Sequence, residues 1–226
     1  MAVPPSAEEQ EENGRRCAHC KLLIEHLKFI VMKKALPWIV VLGILAIIAL
    51  WVANVYNSFV AAEEEVESAW SQVENQYQRR ADLVPNLVAT VKGYAAHEQE
   101  TLEGVVEARA KATQITIDPA KATPEQLAAF QAAQGELSQA LGRLLAVAEN
   151  YPDLKANENF RDLQSQLEGT ENRIAIARQL FNDSARKFNT AIRRFPNNLI
   201  AGAFGFEKKP YFEAEEGAAK APKVEF

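Results

Sequence analysis

Apolar residues form one nearly uninterrupted run close to the start of this chain. The run extends from Ala35 to Val55, and no Asp, Glu, Lys or Arg occurs between Ala35 and Ala62. In a helix the 21 residues of the run rise by roughly 31 Å, which is about the thickness of the hydrocarbon core of a bilayer. The pattern therefore predicts a transmembrane helix over residues 35–56.

Aromatic residues stand near both ends of this run. Trp38 lies near its start, and Trp51 and Tyr56 lie near its end, where amphipathic rings favour the membrane interfaces. Two alternatives are a buried core helix and a cleaved signal peptide. A core helix rarely extends for 28 residues without a charge, and the run is longer than the roughly 7 to 15 apolar residues of a signal peptide. An uncleaved membrane helix is therefore favoured.

Beyond the run, apolar residues recur at intervals of three and four. Three such stripes average about 3.5 residues per repeat, the period of long helices that pack with a left-handed supercoil. The pattern predicts an all-α fold, in which the membrane helix precedes an antiparallel bundle of long helices similar to a four-helix bundle. The stripes are Trp70, Val73, Tyr77, Arg80, Val84, Leu87, Val91 and Tyr94; Leu127, Phe130, Gln134, Leu137, Leu141, Leu144, Ala148 and Tyr151; and Phe160, Leu163, Leu167, Thr170, Ile174, Ala177, Phe181, Ser184, Phe188, Ala191 and Phe195.

Local signals predict where these helices begin and end. Thr123 followed by Pro124 and Gln126 is a capping-box pattern, and residues 116–124 form the linker before that helix. Tyr151 and the proline after it end the same helix. The third stripe predicts a helix from a cap near Asn157 to about Arg194, where a following proline stops it.

A shorter helix is expected between the first two stripes, over about Glu98 to Thr113. Its apolar stripe consists of Leu102, Val105 and Val106.

Two residues within the span of the first stripe, Arg80 and Pro85, do not fit a plain apolar core. Arg80 occupies a stripe position, so its side chain either extends out to solvent or pairs with a carboxylate across the bundle, and the sequence does not choose between several carboxylates. Pro85 lacks the N–H that would bond the carbonyl of Ala81, which predicts a kink or local break near Ala81.

The charges are distributed unevenly around the membrane run. The whole chain has a net charge of -5 and a pI near 5.4, which argues against a nucleic-acid-binding protein. Residues 1–34 contain six Lys and Arg, whereas no Lys or Arg follows the run until Arg79, and Glu63, Glu64, Glu65 and Glu67 follow it directly. The positive-inside rule therefore predicts a cytoplasmic N-terminus and an extracytoplasmic body.

Both cysteines of the chain lie before the run, in a C-x-x-C pattern at Cys17 and Cys20 with His19 between them and His26 nearby. A structural zinc site needs four suitably spaced ligands, so this pattern is a weak signal for a metal.

Met32 and the two lysines after it are typical of the start of a membrane protein, so residues 1–31 are interpreted as an upstream extension with the true start at Met32.

The predicted organisation has four parts: an N-terminal arm over 1–34, the membrane helix over 35–56, the helical body over 63–212 and a disordered tail over 213–226. Within the body, LIAGAFGF (Leu199–Phe206) is too apolar to be a solvated tail. It is expected to fold back onto the bundle, or to meet the membrane or a partner.

Several long segments resemble one known family. The membrane run, SAWSQVENQYQRRADLVPNLVATVKGYAAHE (Ser68–Glu98), YPDLKANENFRDLQSQLEGTENRIAIARQLFNDSARKFNTAIRRFPNNLIAGAFGF (Tyr151–Phe206) and PYF (Pro210–Phe212) are similar to the LemA family of bacterial envelope proteins. The resemblance covers about residues 32–215. It implies a single-pass membrane protein with a helical-bundle body, in a family without an established biochemical activity.

The residue inventory argues against enzyme chemistry in the body. After the membrane run the chain has one histidine, His97, and no cysteine, which excludes a cysteine nucleophile and a multi-histidine zinc site there. A di-iron site would need Glu-x-x-His, and the residue three before His97 is Tyr94. His97 with Glu98 and Glu100 could bind a stray metal, although a histidine at a helix end more often caps carbonyls or faces solvent. No phosphate-binding glycine motif occurs. We expect no catalytic residue, no cofactor and no metal site.

These observations favour a non-enzymatic envelope scaffold or adaptor in the bacterial cytoplasmic membrane. Its expected partners are the lipid bilayer and either further copies of itself or other envelope proteins, with no nucleic acid or nucleotide. LIAGAFGF and the acidic stretch Glu63–Glu67 are its candidate contact regions. The alternative is a sensor that relays a signal through a partner, with Pro85 as a hinge, and an enzyme of unknown type is a third hypothesis.

Overall fold

The structure is a computed structural model that describes residues 7–95 and 97–213, with side chains from residue 37 onwards. Every regular element in these ranges is a helix, so the predicted all-α class is confirmed. The helices are α1 (Ala7–Tyr94), α2 (Gln99–Gln114), α3 (Pro124–Ala148), α4 (Pro152–Ala156), α5 (Glu158–Arg193) and α6 (Asn197–Phe204). The chain divides into two compact units, one up to Asn54 and the other from Val55 onwards.

The first unit contains the apolar run. By length and composition, α1 is the one helix in the described part of the chain that is long and apolar enough to cross a membrane. None of its apolar window is buried within the protein. Leu50, for example, is 72% exposed. A core helix of a water-soluble domain would bury such residues, so the exposure agrees with a segment that meets lipid.

The second unit buries the predicted stripes in a core shared by α1 to α5. Val84 and Leu87 of α1 contribute to the same core cluster as Leu137 of α3 and Phe160 of α5. Periodic burial of this kind supplies most of the stability of a packed helix, because isolated helices are marginal in water. The stripes therefore identify the core of the body.

Three stripe residues lie outside the core, contrary to prediction. Tyr94 is exposed at the last turn of α1, and Val106 is on the outer face of α2. Phe195 is 81% exposed because α5 ends two residues earlier, at Arg193. Once the helix has ended, the 3.5-residue period no longer fixes the direction of the side chain.

The local boundary signals agree closely with the structure. Thr123 Oγ1 accepts from the N–H of Gln126 at 3.2 Å, and Gln126 Oε1 accepts from the N–H of Thr123 at 3.0 Å. This is the predicted capping box. Asn157 Oδ1 accepts from the N–H of Phe160 at 3.0 Å and caps α5. Between α3 and α5 the chain adds one short helix, α4, that was not predicted.

Helix α1 is continuous through Pro85, so the predicted local break is not observed. The carbonyl of Ala81, which cannot bond the proline, instead accepts from Arg109 Nε of α2 at 2.7 Å. A side chain from the neighbouring helix thus supplies the missing donor, and a buried carbonyl without a partner would be costly.

Candidate functional site

Arg80 is the centre of a buried polar network that joins three helices. Its side chain is 3% exposed. Nη1 donates to Glu171 Oε2 of α5 at 2.9 Å, and Nη2 donates to Gln134 of α3, at 2.8 Å to Oε1 and 3.1 Å to the carbonyl. Of the two alternatives left by the sequence, the structure has the ion pair across the body rather than extension into solvent.

Gln134 carries this network further. Its Nε2 donates to the carbonyl of Ala112 at the end of α2, at 3.1 Å. The guanidinium of Arg80 also lies 5.1 Å from the ring centroid of Tyr77, within the range of a cation–π contact. Both terminal nitrogens of Arg80 and the amide of Gln134 thus have partners inside the protein, whereas Arg80 Nε is buried without a hydrogen-bond partner and the Glu171 side chain is 53% exposed. The network therefore joins four helices.

Lys209 is a second buried cation, and the sequence does not predict its burial. It is 5% exposed. Its Nζ donates to Glu63 Oε1 of α1 at 2.6 Å and to the carbonyl of Ala120 at 2.7 Å, and lies 5.6 Å from the ring centroid of Phe188. Nothing in the sequence EKKPYF distinguishes Lys209 from an exposed lysine, so no local signal could have found it.

Two asparagines of α5 hold the extended C-terminal segment, residues 206–213. Asn189 Oδ1 accepts from the N–H of Lys209 at 2.9 Å, and Asn189 Nδ2 donates to the Lys209 carbonyl at 2.8 Å. Asn182 makes the same pair of bonds with Phe212, at 2.9 and 3.0 Å. Each amide side chain satisfies both backbone groups of one residue, as a neighbouring strand would. The seven-residue spacing of these asparagines beside the α5 stripe is a signal that the sequence did contain.

The C-terminal segment also completes the aromatic part of the core. The ring of Phe212 stacks on Trp70 of α1, with centroids 5.9 Å apart and an interplanar angle of 10°. Phe181 of α5 meets both rings edge-on, at 5.5 Å and 5.4 Å. Stacked and edge-to-face arrangements add to the burial of these large side chains. The segment therefore belongs to the folded body.

A shallow cleft of about 300 Å³ opens beside the Arg80 network, between α1, α2 and α3. Glu74, Tyr77, Thr113 and Gln134 supply polar groups to it. No histidine, lysine or cysteine occurs among the described residues that line it. The one carboxylate, Glu74, and the hydroxyl groups of Tyr77 and Thr113 are not accompanied by a histidine or lysine base among these lining residues, so they do not form a recognisable catalytic constellation.

The stray metal site that His97, Glu98 and Glu100 could have formed is not assembled. His97 lies exposed in the turn between α1 and α2, and Glu98 Oε1 accepts from Tyr151 Oη at 2.9 Å. This hydrogen bond to the carboxylate raises the pKa of Tyr151. Within the described residues, no group of three or more His, Cys, Asp or Glu side chains could hold a metal ion. The side chains of Cys17, His19, Cys20 and His26, and residues 214–226 of the predicted tail, lie outside the described residues.

The two predicted contact regions have different environments. In the acidic stretch, Glu63 pairs with Lys209, and Glu65 Oε1 accepts from Lys187 Nζ at 3.0 Å. Two carboxylates of the stretch therefore form ion pairs with other residues of the body. The apolar region forms α6 and the residues after it. Ile200 and Ala201 of α6 are buried, which shows that it folds back onto the body, whereas Leu199 and Phe204 are exposed.

Known proteins are similar to this chain over most of its length. A model of the LemA family matches residues 69–226. The magnetosome protein MamQ 2 of Paramagnetospirillum magneticum is 31% identical over 207 residues, covering 84% of this chain and 75% of the relative. MamQ of Magnetospirillum gryphiswaldense is 30% identical, covering 75% of this chain and 68% of the relative. Protein LemA of Metamycoplasma hominis is 26% identical, covering 71% and 69%.

Proposed function

Since this chain belongs to the LemA family, we propose that it is a membrane-anchored scaffold or adaptor that acts through protein–protein contacts and not as an enzyme. The observation that carries the proposal is that the buried charged groups of the body are paired with other groups of the same chain. The buried charges of Arg80 and Lys209 are engaged by neighbouring helices and the C-terminal segment, which favours a structural over a chemical role for them.

The proposed arrangement of the body is an antiparallel bundle with coiled-coil-like packing. The average stripe period of about 3.5 residues supports it. So does the reach of Arg80, a residue of α1 that contacts both Gln134 of α3 and Glu171 of α5. Such a bundle presents the outer faces of long helices as its contact surface.

The proposed topology is a single-pass protein of the bacterial cytoplasmic membrane, with the N-terminus inside and the body outside. The lysines and arginines before the apolar run support this orientation. A reporter fused after Phe226 checks it, because a fusion that is active only in the cytoplasm would contradict the proposed orientation.

The names of the relatives differ, since two are magnetosome proteins and one is called LemA. We therefore propose a helical body shared with these relatives and do not propose a role in the magnetosome.

Signal relay through a hinge at Pro85 receives less support, because α1 continues through Pro85 and Arg109 donates a hydrogen bond to the carbonyl of Ala81.

The outer face of α5 offers a place to test for protein contacts. Ile176 and Leu180 are 50% and 47% exposed and lie one turn apart. A photo-crosslinking amino acid at either position in intact membranes should give discrete adducts, identified by mass spectrometry. Ser165, exposed on the same helix, is the matched control. Absence of adducts at both apolar positions, in a protein that is monomeric in detergent, would count against a scaffold.

A further inference from the structure

Helix α6 and its flanking residues present an apolar surface without a charge. No Asp, Glu, Lys or Arg occurs from Phe195 to Phe206. Ile200 and Ala201 face the body, whereas Phe195, Leu199 and Phe204 are 81%, 64% and 55% exposed. Large exposed apolar side chains concentrated in one short segment indicate a contact with another apolar phase.

This surface lies next to the residue that follows the apolar run. The ring of Tyr56 contacts Phe204 with centroids 5.1 Å apart and Phe206 at 5.6 Å. Tyr56 is covalently joined to Val55, the last residue of the run. If the run spans a bilayer, this aromatic cluster is held at the depth of the membrane interface, where tyrosine is enriched.

Basic residues flank the apolar surface in the sequence. Arg193 and Arg194 precede Phe195, and both are exposed, as is Lys208 two residues after Phe206. Glu207 between Phe206 and Lys208 is also exposed, so the flanking residues are three basic and one acidic. Lysine and arginine beside an interfacial helix attract the phosphate groups of anionic lipids. The charge pattern therefore favours lipid over a second protein as the occupant of this surface.

We propose that Phe195 and α6 form an interfacial anchor, which lies in the headgroup and upper acyl region of an anionic bilayer on the side of the body. The inference rests on the proposed membrane anchoring. It adds that the body is tethered at two places, by the apolar run and by α6, so that the end of the body near Tyr56 is held against the membrane surface.

Site-directed spin labelling of the full chain in nanodiscs tests this anchor. The two native cysteines are replaced in a Cys17→Ser, Cys20→Ser background, and single cysteines are introduced as Phe195→Cys or Leu199→Cys. Val106→Cys is the matched control, because Val106 is an exposed apolar residue of α2. Leu45→Cys, inside the apolar run, reports whether the chain spans the disc.

The measurement is the accessibility of each label to oxygen relative to the water-soluble chelate NiEDDA. We expect the ratio at positions 195 and 199 to exceed that at position 106 by at least about fivefold in discs of anionic phosphatidylglycerol, because lipid excludes the chelate. We expect a smaller excess in zwitterionic phosphatidylcholine, since the arginines then lose their lipid partners. Equal ratios in the two lipids would overturn the assignment to anionic lipid.

The outcomes separate this inference from the proposed function. A lipid-like label at position 45 with water-like labels at 195 and 199 overturns the anchor and leaves the membrane span intact. A water-like label at position 45 overturns both. Dipolar broadening between labels at position 199 on two copies would show that a second copy covers the surface, and this also overturns the proposal.

Discussion

Helix α1 contains two apolar stretches that meet different surroundings. Residues 37–53 are apolar on every side and mostly exposed, as at Leu45, which is 55% exposed. From Val55 onwards apolar residues form a stripe that is buried, as at Leu87, which is fully buried. A helix that is apolar all round needs an apolar solvent, whereas a striped helix needs a packed partner. The distribution of apolar residues around a helix therefore identifies its environment better than their number does.

The largest effect should come from removing a buried side chain of the stripe. Leu87→Ala should lower the free energy of unfolding of the body by about 2–5 kcal/mol, because a cavity replaces a fully buried leucine. Urea unfolding of the full chain in detergent, followed by circular dichroism, measures the change. Leu45→Ala is the control and should leave this free energy unchanged. A comparable loss in both variants would erase the distinction between the two stretches.

A charge placed in the exposed run should impair membrane insertion rather than lower the stability of the folded body. Leu45→Lys should raise the apparent free energy of insertion by about 2.5–3.5 kcal/mol, the cost of a charge near the centre of a membrane helix. Insertion into microsomes, scored by glycosylation of engineered sites on each side, measures it. Val106→Lys, on the exposed face of α2, should have no such effect. Unchanged insertion of the Leu45 variant would argue that the run does not span a bilayer.

Arg80 is a charged residue in the buried stripe. Arg80→Met keeps most of the side-chain volume but leaves Gln134 without its donor, so it should destabilise the body by about 1–3 kcal/mol. The neighbouring Arg79 is exposed, and Arg79→Met is the matched control with little expected effect. Thermal unfolding of both variants measures the difference. If the Arg80→Met and Arg79→Met variants had similar melting temperatures, the hydrogen bonds of Arg80 would contribute little to the stability of the body.

The smallest expected effect concerns the carbonyl of Ala81. Arg109→Met should cost about 1 kcal/mol, because this carbonyl then loses its only side-chain donor in the described structure. In a Pro85→Ala background the residue at position 85 has an N–H for the same carbonyl, so Arg109→Met should cost less. A double-mutant cycle of unfolding free energies isolates the coupling. Additive effects would show that Arg109 does not compensate for the proline.

Features set by short-range geometry could be predicted from the sequence, and long-range pairings could not. Thr123 and Asn157 were predicted as caps because the bonds they make reach only three residues along the chain. The partners of Arg80 lie 54 and 91 residues away. Lys209 bonds Glu63 from 146 residues away. Such pairings depend on the rotation and axial offset of packed helices, and the 3.5-residue period fixes neither.

The same limit explains why the exposure of Phe195 was not predicted. Its spacing continues the α5 stripe, but the position at which a helix stops decides whether the next side chain meets the core. At Asn182 and Asn189 the sequence did contain a regular spacing, but not the identity of the segment that they bind. Their seven-residue interval was visible, yet the extended segment that they hold had no pattern of its own.

The all-α class, the apolar run and most of the stripe residues that form the core of this LemA-family chain could be predicted from its sequence. These follow from periodicity and from the chemistry of single residues, which any helix of this sequence expresses. The tertiary structure alone decided the partners of Arg80 and Lys209, the donor that Arg109 lends to Ala81 and the exposed surface of α6. Each of these requires residues that are distant in the chain to meet, and only the packing of complete helices fixes such meetings.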